Sequence, residues 1–87
     1  MKKIYCNINL FTIEQKVYII DTETGESVCV ATTEVEQLPE VISALSNEKG
    51  IFDIHLDGGP AYGATVAQDI ATFAKSFYSH NELNITY

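Results

Sequence analysis

Residues 51–63 constrain this chain more than any other stretch. Ile51, Phe52, Asp53, Ile54, His55, Leu56 and Asp57 have the composition of a strand. Gly58, Gly59 and Pro60 then make a turn, and Ala61, Tyr62 and Gly63 lead into a helix-forming segment. A strand, a glycine-rich turn and a helix together imply a parallel-sheet crossover. Such a unit leaves the first backbone N–H groups of the helix free at one end of the sheet.

The flanking sequence supplies the rest of a sheet. Residues 4–12 alternate, with Ile4, Cys6, Ile8 and Leu10 on one face and Tyr5, Asn7, Asn9 and Phe11 on the other. Residues 16–21 predict a second strand, with Val17 and Ile19 opposed to Tyr18 and Ile20. The polar run 21–26 contains Gly25 and predicts a turn, and residues 27–32 a third strand. Short connections make these three an antiparallel meander. Leu38, Val41, Ile42 and Leu45 recur at helical spacing, with Pro39 suited to a first turn and Gly50 to a left-handed cap. Thr33 and Glu36 offer a competing capping box one turn earlier; the proline is the stronger signal. In the fourth strand, Phe52, Ile54 and Leu56 fall on one side. Val66, Ile70, Phe73 and Phe77 mark a second helix, flanked by Ala67, Ala71 and Ala74. Asn81 predicts its stop, and Leu83, Ile85 and Tyr87 a last short strand.

The predicted order is β-β-β-α-β-α-β over a single domain, 1–87, with no linker or repeat. The fold class is α/β in the broad sense, a five-stranded mixed sheet with helices packed on it. Right-handed crossovers would set the fourth and fifth strands parallel to the first. A chain of 87 residues buries only about 60–65% of the surface it exposes when unfolded. Homo-oligomerisation is a natural way to bury more.

Twelve acidic against five basic residues give a net charge of −7. That argues against direct nucleic-acid or anionic-membrane binding, which needs Lys and Arg to displace counterions. It suits solubility, and it suits docking on a protein partner with a basic surface. Met1-Lys2-Lys3-Ile4 runs straight into a strand, and no apolar run approaches 18 residues. The expectation is a cytosolic protein. Cys6 and Cys29 stand in apolar strand patterns and are expected to be buried free thiols. His55 and His80 match no metal-ligand spacing, so neither a metal nor a cofactor is expected.

The candidate ligand residues are Asp57, Gly58, Gly59, Tyr62 and Gly63. A phosphate could rest on the helix N-terminus there. The loop has neither a dinucleotide fingerprint nor a phosphate-loop lysine, and the favoured reading is a tight structural turn. Tyr62 either stacks on a base or plugs the sheet end. His55 shares a strand face with Asp53 and Asp57, as an acid–base pair or as a surface histidine. No serine has a paired His and acid in a recognised order, and no catalytic residue is assigned. Tyr5, Phe11 and Tyr18 are candidate interface residues, because tyrosine couples a large apolar area to a polar tip. Alternatively the helices cover that face.

The element order resembles the ribonuclease H-like fold without its final helix. The resemblance covers nearly the whole chain and concerns topology rather than sequence motifs. Nucleases of that fold hold two divalent metals on clustered carboxylates, one of them on the first strand. Here Asn7 and Asn9 stand at the plausible first-strand positions, while Asp57 matches a family position in topology. Asp69, in the second helix, does not complete a two-metal site. The short, acidic, motif-poor chain also resembles the small accessory proteins of bacteriophages, several of which inhibit host enzymes or defence systems. The net charge without an active-site constellation, together with the phage-protein resemblance, leads to the expectation of a non-catalytic, phage-type inhibitor acting by protein contact in a host cytosol. The alternatives are a nucleotide-sequestering protein using the 57–63 loop, and a divergent nuclease.

Overall fold

The structure, a computed structural model, describes residues 1–9, 11–58, 61–76 and 84–86, with the side chains at 61–64 and 74 outside the description. The strands are β1 (Lys2–Asn7), β2 (Glu14–Asp21), β3 (Ser27–Glu34), β4 (Asp53–Asp57) and β5 (Asn84–Thr86). A 3-10 turn (Val35–Gln37) leads into α1 (Leu38–Lys49), and α2 (Ala61–Lys75) follows β4. The sheet is five-stranded and mixed, in the order β3-β2-β1-β4-β5. β1, β2 and β3 pair antiparallel, and β4 and β5 extend the sheet in parallel from β1.

That order decides where the helices go. Both crossovers, β3 to β4 through α1 and β4 to β5 through α2, move the same way across the sheet. Crossovers of one hand moving one way put their helices on one face. The core shows this: Ile4, Cys6, Val17, Ile54 and Leu56 pack in one cluster with Leu38 and Ile42 of α1 and Ala67, Ile70 and Ala71 of α2. No described helix lies on the opposite face. In register across it run Cys29, Tyr18, Tyr5, His55 and Thr86, one residue from each strand.

Two glycines turn the chain where other residues would be strained. Gly25 has φ 78° and its N–H donates to Asp21 O at 2.8 Å. The Asp21 carboxylate accepts from Glu23 N at 3.0 Å, and that backbone N–H holds it below the ordinary value of 3.8. Gly50 has φ 65° and caps α1, and the next N–H, of Ile51, reaches back to Ser46 O at 2.9 Å. Pro39 stands in the first turn of α1, as expected. The Thr33–Glu36 capping box does not form: Thr33 Oγ1 donates to Glu34 O and to Gln37 Oε1 instead, beside the 3-10 turn.

Four expectations are corrected. First, β1 ends at Asn7 rather than continuing to residue 12, because the chain turns at Asn9: its Oδ1 accepts from Phe11 N at 2.9 Å. Second, Phe52 precedes β4 and is 48% exposed, while Ile51 is buried by the helix cap that draws it inward. Third, the described inner face of α2 is Ala67, Ile70 and Ala71 with Val66 packed partly against the core as expected, while Phe73 is 37% exposed. Fourth, Cys29 is exposed because it stands on the uncovered face of edge strand β3. Phe77, Asn81, Leu83 and Tyr87 lie outside the described residues.

The two thiols are therefore chemically distinct. Burial pushes Cys6 up to about 11, leaving about one thiolate in a thousand at pH 8. Iodoacetamide at pH 8 is expected to label Cys29 and leave Cys6 untouched in the folded protein, with both labelled in guanidinium. Equal labelling of the two in native buffer would contradict the buried position of Cys6.

Candidate functional site

In open sheets with parallel strands, ligands favour the crevice beyond the carboxyl ends where neighbouring strands send their connections in opposite directions. Here that point lies between β1 and β4. β1 leads towards β2 on one side, and β4 leads through α2 towards β5 on the other. Asn7 and Asp57 are directly in register at those two ends. Parallel pairing continues one step further, with Ile8 N donating to Asp57 O at 2.8 Å.

The half-buried Asp57 carboxylate collects donors from β1. Tyr5 OH and Asn7 Nδ2 both donate to its Oδ2, each at 3.2 Å. These contacts follow from the sheet. Spacing of two puts Tyr5 and Asn7 on one face of β1, and pairing brings Asp57 alongside. The Tyr5 ring stacks on His55 with centroids 5.7 Å apart and planes at 18°. His55 Nδ1 and Thr86 Oγ1 share a hydrogen bond of 2.7 Å. The described partners of His55 are thus a tyrosine ring and a threonine, neither of them a flanking carboxylate.

Tyr5 and Asn7 meet the Asp57 carboxylate with neutral donors. A two-metal centre needs several carboxylates to offset four positive charges. Among the described residues no group of three or more His, Cys, Asp or Glu is placed to hold a metal ion. Asp69 is exposed on α2. Where a metal would draw a first-strand carboxylate towards Asp57, the Asn7 amide instead presents its N–H.

The other sequence candidates are dispersed. Gly58 is buried directly after β4. Gly59 lies outside the described residues, and Tyr62 and Gly63 stand in the first turn of α2 without described side chains. Tyr5 and Tyr18 are register partners on the uncovered face. Phe11 does not join them: it sits in the loop between β1 and β2 and is 97% exposed.

Three features are evident only in the structure. Gln15 is 1% exposed and ties the β1–β2 loop together. Its Oε1 accepts from Asn9 N at 2.8 Å, and its Nε2 donates to Asn9 O at 2.8 Å and Thr12 O at 3.1 Å. Glu14 and Glu34 face one another directly across β2 and β3, with Glu36 just beyond; all three are exposed. At the opposite end of the sheet, a cleft of about 290 Å³ is floored by Ile19, Val28 and Ile51 and rimmed by Lys2, Lys49 and Asp21. The spacing between Asn9 and Gln15 was the one available signal for the loop, and it becomes meaningful only once β1 is known to stop at Asn7.

Among the described residues no helix is long and apolar enough to cross a membrane. No protein family, curated protein or solved structure matches the chain.

Proposed function

We propose that this chain is a non-catalytic binding protein on a ribonuclease H-like sheet, acting as a phage-type inhibitor by laying an acidic surface on a basic surface of another protein. The observation that carries the reading is the opposed pair Glu14 and Glu34, with Glu36 beside it. Like charges directly opposite each other across a sheet destabilise it. None of the three is ion-paired to a described residue. A small domain that keeps such a pair, within a net charge of −7, carries a repulsion that a basic partner relieves.

The strand order and directions support the ribonuclease H-like part of the reading. Asp57 then stands where that fold places a metal-binding carboxylate, and its ties to Tyr5 and Asn7 suit a structural role. The partner would be met in the cytosol.

Affinity for the partner is expected to fall at least tenfold between 50 and 300 mM NaCl, because screening at about 10 Å or less removes attraction between surface charges. Titration calorimetry at several salt concentrations measures this. Salt-independent affinity would contradict the reading. So would Mg²⁺-dependent cleavage of nucleic acid that disappears in Asp57→Asn.

A further inference from the structure

We propose that the turn carrying Phe11 and Ile13 is an anchor that enters an apolar pocket of a partner protein whose rim bears Lys and Arg. The inference rests on the reading above and names the surface that makes the contact.

Phe11 is 97% and Ile13 80% exposed, more than any other large apolar side chain described. A single exposed hydrophobic residue is ordinary. Two on one short turn, held in place, are not. The turn is held from below by Gln15, whose buried amide spans both polar groups of the Asn9 backbone at 2.8 Å. It is held from within by Thr12 Oγ1, which donates to Asn9 O at 3.0 Å and to Glu14 O at 3.1 Å. Asn9 Oδ1 fixes Phe11 N at 2.9 Å. The Gln15 amide thus does for the loop what another strand would do, its oxygen on an N–H and its nitrogen on carbonyls. Backbone groups of Asn9, Phe11 and Thr12 already held by hydrogen bonds have less freedom to lose on binding, so the apolar side chains beside them contribute more of their burial to affinity.

The surroundings identify the occupant. Beside Ile13 a shallow cleft of about 250 Å³ is bordered by Thr12, Val35, Glu34 and Glu36. Glu14 follows Ile13 directly in β2. The apolar tip is therefore flanked by three exposed carboxylates. An aromatic anchor inside a charged border is the usual energetic layout of a protein interface, with affinity concentrated at the anchor. The carboxylates repel phosphate backbones and anionic headgroups and attract a rim of Lys and Arg. An exposed Phe and Ile can also enter a lipid surface or a second copy of the chain, and the experiment separates these.

The test replaces Phe11 by the photo-cross-linker benzoylphenylalanine in the full chain and irradiates it in native cell lysate at 50 mM NaCl. The cross-linked protein is identified, purified and titrated with wild type, Phe11→Ala/Ile13→Ala and Glu34→Gln/Glu36→Gln. The alanine pair is expected to weaken binding by about 100-fold or more without changing Tm, since neither side chain is packed. The glutamine pair is expected to slow association about tenfold at low salt and to matter little at 500 mM. A captured protein that binds salt-dependently but equally well to the alanine pair overturns the anchor and leaves the acidic-surface reading standing. Failure to capture any protein from position 11 overturns the anchor; capture by the same cross-linker placed at Glu36 then leaves the acidic-surface reading standing, and capture from neither position overturns both. Cross-linking to a second copy, or tip-dependent binding to phosphatidylcholine vesicles, overturns the anchor proposal in favour of self-association or lipid insertion.

Discussion

Ile4→Ala is expected to lower the stability of this domain by about 3–4 kcal/mol and its Tm by roughly 15–25 °C. Ile4 is fully buried on the central strand, in register with Ile19 on one side and Ile54 on the other. Both helices cover its face of the sheet, and Ile42 and Ile70 belong to the same cluster. The described core is one layer of side chains between a face of the sheet and the two helices, and both of its walls are backbone elements that cannot easily close on a cavity at Ile4. A domain of this size typically has about 5–10 kcal/mol in all, and such a loss takes a large share of it. Urea unfolding followed by circular dichroism measures the change. Phe11→Ala serves as the contrast, a larger side chain removed from an exposed position and expected to cost under 0.5 kcal/mol. A loss below 1 kcal/mol for Ile4→Ala would mean that the centre of the core lies elsewhere.

Gln15→Ala is the second large effect, and its cause is polar. The substitution removes a buried amide and leaves Asn9 N, Asn9 O and Thr12 O without that partner. Water reaches the exposed side of Asn9, which limits the loss to about 2–3 kcal/mol. Hydrogen exchange at Asn9 is expected to quicken by at least tenfold, while the β1–β4 amides change only with global stability. Gln15→Glu sharpens the test. It keeps an acceptor for Asn9 N but turns a carboxylate oxygen towards two carbonyls. That variant is expected to be less stable than Gln15→Ala at pH 7 and to recover towards pH 4, where a protonated carboxyl can donate again. Unchanged exchange at Asn9 in Gln15→Ala would show that the loop does not depend on the glutamine. It would also remove the pre-ordering on which the anchor argument rests.

How much of this was legible beforehand depends on the range of the interaction. Gly25, Gly50 and Pro39 act within a few residues of themselves, and each does what its type predicts. The alternation around Ile4 and Cys6 marks a buried face without any knowledge of the partner strands. Phe52 and Phe73 stand exposed where the pattern predicts burial, because periodicity says that an apolar residue is present, not that it is covered. Cys29 is exposed for the same reason: an apolar pattern in an edge strand has a neighbour on one side only. Leu10 and Phe11 continue the alternation in composition, but β1 ends at Asn7 and the chain turns at Asn9. A side chain six residues away, Gln15, takes the hydrogen bonds instead.

The site divides along the same line. The strand, glycine turn and helix from Ile51 to Gly63 announced a parallel crossover, and Asp57 at its turn was visible as the carboxylate to examine. Its partners Tyr5 and Asn7 are 52 and 50 residues away, and only sheet register brings them to it. The meeting of Glu14 with Glu34 is of that kind too. Sequence by itself determined the element order, the acidic balance and the local turns, because these rest on residue type and short spacing. Tertiary structure alone decided which face the described helices cover, which carboxylates meet and that Phe11 and Ile13 are held out in water, because each of those depends on what lies alongside.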